Sequence, residues 1–103
     1  MIIEPLAAQA AAATAAGDAT NLSNARVVQC YQSGSTARLI TVQDNSTGSD
    51  VVVGTLTLPA TTGSVLYIKK DPAHEIFAAN AAVLFTPVRA HFAHPRTITT
   101  AGL

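Results

Sequence analysis

Val51-Val52-Val53-Gly54-Thr55-Leu56-Thr57-Leu58 is the stretch on which the fold turns. It is uncharged and rich in β-branched residues, which lose rotamer freedom in a helix but pack well on a pleated surface. Turn formers bound it on both sides, Asp44-Asn45-Ser46-Thr47-Gly48-Ser49-Asp50 before it and Pro59 to Gly63 after it. A run of this length between such boundaries is a strand. Strict alternation places Val52, Leu56 and Leu58 on one side, with Val53, Thr55 and Thr57 on the other.

The same pattern extends outward in both directions. Upstream, Ala25–Gln32 and Ala37–Gln43 are strands separated by Ser33-Gly34-Ser35. Downstream come Val65–Lys70, broken by Asp71-Pro72, then a short Glu75–Ala78 piece and a longer Val83–Phe92 strand. About six short strands spaced by turn signals predict a mostly β chain, built as a small antiparallel sandwich or barrel. Val51-Val52-Val53 and Val83-Leu84-Phe85 are apolar on both faces, although a two-layer domain has one face toward water. A second covering surface is therefore expected, either a partner subunit or the N-terminal segment folding back.

That segment, residues 1–24, is of a different kind. It is alanine-rich and contains no lysine or arginine. Pro5 near its start and Gly17 past Ala16 suit a helix, but Glu4 is a poor N-cap and no apolar stripe continues beyond Leu6. An isolated helix shorter than about 12–15 residues is marginal in water. A short helix and an extended arm both remain open. The organisation expected is an arm over 1–24, a β domain over 25–92 and an extended, Thr-rich tail over 93–103.

Composition narrows function more than motifs do. Charged residues make up only 12% of the 103, with six basic and six acidic side chains in balance. The basic residues are scattered, so the clustered cation excess that phosphate binding needs is missing and nucleic acid is not an expected partner. Few charges suit a surface packed against copies or partners, and a homo-oligomer is expected. No stretch approaches a membrane span, and the N-terminus lacks the basic start and leucine-rich core of a signal peptide. A chain made and used without export is expected, with no membrane partner.

Cys30 is single and lies in a strand, so neither a disulfide nor a thiolate cage is available to it. His91 and His94 are the nearest approach to a metal pair, but three-residue spacing on a strand sends them to opposite faces. The Asp44–Asp50 loop has Thr55 where a calcium loop carries its closing Glu. Asp71 and Glu75 are a possible carboxylate pair, although Asp71 sits in a turn. No phosphate loop, nucleophile elbow or dinucleotide fingerprint occurs. No enzyme activity, cofactor or metal is expected.

The order Ala37-Arg38-Leu39-Ile40-Thr41-Val42-Gln43-Asp44, Gly54-Thr55-Leu56-Thr57-Leu58-Pro59, Val65-Leu66-Tyr67-Ile68-Lys69-Lys70-Asp71-Pro72, Glu75-Ile76-Phe77-Ala78-Ala79 and Ala82-Val83-Leu84-Phe85-Thr86-Pro87-Val88 resembles small β-rich virion proteins of tailed bacteriophages, those of marine cyanobacteria in particular. The resemblance covers about half the chain and carries no catalytic motif. It implies a capsid decoration or cement protein on the virion surface, made in the host cytoplasm and bound to the major capsid protein or other virion proteins. Ile2, Ile3, Pro5 and Leu6 are then the arm's anchors, and Val51, Val53 and Phe85 the apolar contact surface, unless these three are sandwich core. Two alternatives stand beside this: a tail, neck or fibre-attachment component, and a carbohydrate-binding adhesion module with Tyr31 or Tyr67 facing solvent.

Overall fold

The structure is a computed structural model and describes residues 2–91. Phe92 and the tail expected over 93–103 lie outside the described residues, as does His94. The chain is mostly β, as its turn-punctuated strands predict. Its strands are β1 (Ile2–Pro5), β2 (Ala10–Ala11), β3 (Val27–Gln32), β4 (Arg38–Asp44), β5 (Val51–Leu58), β6 (Val65–Lys69), β7 (Glu75–Ala78) and β8 (Val83–His91). One antiparallel sheet has the order β1-β8-β3-β6, with β2 also on β8, and the other has the order β5-β4-β7. Both contribute to one apolar cluster: Val28, Cys30, Ile68 and Phe85 from the first meet Ile40, Val42, Leu58 and Ile76 from the second. The packing is sandwich-like, and no barrel closes among the described residues.

The N-terminal segment resolves to the extended alternative, relieved by a 3-10 turn at Ala16–Asp18 and a turn over 22–24. Its backbone has better partners than itself. Ile2 to Pro5 pair with His91 to Val88, and Ala10 and Ala11 with Phe85 and Leu84. Pro5 is tolerated because β1 is an edge strand. Past Ala12, whose N–H donates to Val83 O at 2.9 Å, the chain crosses to the other sheet. There Ala13 O and Thr20 O accept the N–H groups of Ala78 and Ile76, at 2.9 and 3.0 Å. One strap thus covers the open edges of β8 and β7 and ties the two sheets together. Alanine suits this course, because it loses no rotamer entropy and lets the backbone lie close enough to bury Ala12 and Ala19.

The strap joins β3 through a left-handed turn. Leu22, Ser23 and Asn24 have φ of 53, 57 and 60°, a region costly for residues with a Cβ. The Asn24 N–H donates to Asn21 Oδ1 at 3.1 Å, and Asn21 Nδ2 donates to Asn24 Oδ1 at 3.1 Å. Lys70 completes the clamp. The residue is buried just past β6, and its ammonium donates to the carbonyls of Asn21, His74 and Asp71 at 3.0, 2.8 and 3.3 Å. Desolvation holds its pKa below the usual lysine value, with the Asp71 charge opposing that shift.

Strict alternation fails at one point in β5. The register shifts between Val42 and Gln43, so Val42 faces Gly54 while Gln43 faces Val52 and Val53 is the extra residue. Val52 therefore does not share a face with Leu56 and Leu58. It stands with Gln43 on the outer side, where Gln43 Nε2 donates to Ala16 O and Glu75 Oε1, both at 2.9 Å.

Burial at the centre of β3 gives Cys30 a titration signature. Desolvation pushes its thiol from 9.0 up to about 12. Between these values the unfolded chain loses the proton and the folded chain keeps it, so Cys30 contributes falling stability as pH rises through that window. The full slope for one group is about 1.4 kcal/mol per pH unit. Denaturant melts from pH 8 to 11 should give a steeper loss for the natural chain than for Cys30→Ala. Comparing the two slopes removes contributions common to both chains, including that of Lys70.

Candidate functional site

Four edges could carry function in a two-sheet chain; the strap covers β7, and along β8 it leaves as an edge only its own short strands, of which β1 carries Glu4 and Pro5. β5 and β6 remain, on the side of the sandwich away from the strap. They are unlike. β6 is five residues long and carries the exposed charge of Lys69. β5 is eight residues long, uncharged, and exposed on both faces everywhere except Leu58. Lysine on an edge discourages pairing with other chains, and β5 has no such guard.

Between these strands lies a cleft of about 330 Å³. Ile40, Val42, Leu56 and Ile68 form its apolar walls, and Lys69, Asp71 and His74 stand at its rim. Leu56 pairs with Ile40 on the inner face yet remains half exposed, because the cleft separates it from β6. Gly54 sits in the lining, and an added Cβ there would meet nothing within 4 Å. The outer face of the larger sheet also presents apolar area, with Val65 and Tyr67 exposed and Gln29 Nε2 donating to Tyr67 Oη at 3.1 Å.

The residues expected to bind partners separate into three groups. Ile2, Ile3, Pro5 and Leu6 lie along β8, with Ile2 61% exposed and Leu6 half exposed at the sheet's outer edge. Val51 and Val53 are each 56% exposed on β5, near the opposite lateral edge of the molecule. Phe85 is corrected: it is 2% exposed, belongs to the core, and offers no outer contact surface. It alternates inward with Val83, which periodicity alone could not distinguish in a strand apolar on both faces. Outside the expected contact residues, Val52 is the most exposed of these valines at 62%, and Leu39 on the neighbouring strand is exposed as well. The bulge turns Val52 outward and no residue in this stretch announces it, whereas Leu39 faces away from Ile40 by plain alternation.

The polar candidates are occupied locally. Asp44 Oδ1 accepts the Ser46 N–H at 2.8 Å, and this bond first of all holds its carboxyl below the ordinary value. His74 Nε2 lies 4.0 Å from Asp44 Oδ2. Asp71 Oδ1 accepts the Ala73 N–H at 2.9 Å, a turn geometry, and Glu75 receives Gln43. Among the described residues, no group of three or more His, Cys, Asp or Glu could hold a metal ion. None of their helices is long and apolar enough to cross a membrane.

The arrangement defines a class: a strapped two-sheet β protein whose most distinctive surface is an unguarded apolar edge. Comparison goes no further, since no protein-family model, curated protein or solved structure matches the chain.

Proposed function

We propose that this chain is a non-enzymatic structural protein of a phage virion, a decoration or cement protein seated on the major capsid protein shell. The observation that carries the reading is the β5 surface, where Val51, Val52, Val53 and Leu56 stand exposed on a chain with 12% charged residues. Such area is costly to leave in water and favours a partner. The resemblance of the Ala37–Val88 block to small β-rich virion proteins supports the same conclusion. The exposed strap tip at Ile2 and Leu6 forms a second, separate patch, so one copy can touch two neighbours. A lattice then multiplies modest contacts through effective concentration.

The strap is paired into its own domain, and attachment therefore falls to its exposed side chains rather than to a free arm. Shells lacking this protein provide the test. The natural chain should bind them, and Ile2→Asp with Leu6→Asp, or Val51→Asp with Val53→Asp, should weaken binding at least about tenfold while the melting temperature stays unchanged. Equal binding by all three chains would remove both patches from the attachment site. Binding by none would end the capsid assignment in favour of a tail, neck or adhesion role.

A further inference from the structure

We propose that β5 is a dimerisation strand and that its partner is β5 of a second copy, paired antiparallel about a two-fold axis near Gly54 to Leu56. The two small sheets then join into one continuous sheet of six strands, with the order β7-β4-β5 continued by the same strands reversed. Three observations select this occupant. The eight residues of β5 contain no charge and no proline, so their free backbone groups meet no local barrier to strand addition. The bulge kinks only the Val51–Val53 end and leaves Gly54–Leu58 in regular register with β4.

The ends of the strand also carry opposite charge. Asp50 precedes Val51, while Arg38 on β4 pairs with Leu58 at the other end. An antiparallel two-fold brings each Asp50 end to the Arg38 end of the other copy, twice per dimer. A parallel arrangement would bring like ends together. The β6 edge, shorter and carrying Lys69, offers neither feature. The dimer uses the backbone edge of β5 and leaves the valine side chains, which stand off the sheet faces, and the strap tip for the shell contacts proposed above. It needs no shell, so its failure and that of the decoration reading are separable.

Sedimentation of the full chain in solution tests the proposal. The natural protein should show a concentration-dependent species of about 21 kDa, twice the 10.6 kDa chain. Thr55→Lys, which sets two ammonium groups beside the axis, should be monomeric with an unchanged circular dichroism spectrum. Asp50→Lys, on an exposed loop, should raise the dimer dissociation constant about tenfold, and so should Arg38→Glu if its spectrum remains native. Mixing these two variants should restore the dimer, because each interface end then pairs opposite charges. A natural chain that stays monomeric to millimolar concentration, or forms open-ended polymers, overturns the proposal. A dimer that survives Thr55→Lys also overturns it, as does a natural-strength dimer with Asp50→Lys.

Discussion

A chain beginning at Asn24 is expected to lose its cooperative unfolding transition. The deletion removes β1, β2 and the crossing segment, and with them the partners of both sheets along one side. It exposes the N–H groups of Ile76 and Ala78 and the carbonyls of Val83 and Pro87, all satisfied by the strap. It also strips Ala12 and Ala19 from the buried set. A small domain has only about 5–15 kcal/mol of stability in total, and each intramolecular hydrogen bond exchanged for one to water costs about 0.5–1.5 kcal/mol. Several such losses together approach the whole reserve. Far-ultraviolet circular dichroism on heating is the measurement. A sharp transition within a few degrees of the full chain would mean that the strap is an accessory, and the account of the fold would be wrong.

Replacing Lys70 with Met should be the most damaging single change at the strap junction, at about 2–4 kcal/mol by urea denaturation. Methionine keeps the apolar stem but cannot donate to the carbonyls of Asn21, Asp71 and His74. Asn21 opens the turn in which Leu22, Ser23 and Asn24 are held left-handed, so losing Lys70 also loosens a segment that resists its own conformation. The ammonium carries a cost as well. Its folded pKa lies below its unfolded one, and between the two values the unfolded chain binds more protons. Lys70 therefore contributes rising stability with pH in that alkaline window, opposite in sign to Cys30. A change below about 0.5 kcal/mol for Lys70→Met would show that water serves these carbonyls equally well.

Much of the β architecture was legible because turn chemistry is local. Val51–Leu58 and Glu75–Ala78 have the bounds their flanking residues predict, and Val27–Gln32 and Arg38–Asp44 differ from prediction by one or two residues at an end. The strap was not legible in the same way. Alanine favours a helix intrinsically, yet its course here is set by the open edges of β7 and β8, which appear only once the sheets exist. The surface site was half legible. Of the two alternatives open for these residues, Val51 and Val53 are exposed and Phe85 is core, and the bulge carries Val52 to the outer side. A register shift depends on pairing across Val42 and Gln43, and alternation within one strand does not reveal it.

Imaging decides whether the chain attaches to a capsid. Shells lacking this protein would be mixed with the purified chain and examined by electron cryomicroscopy at a resolution that separates capsomers from the portal vertex. Attachment should give added density repeated over the capsomers and fitting the two-sheet fold. Density confined to a ring at one vertex, or shells left bare at saturating protein, would contradict it.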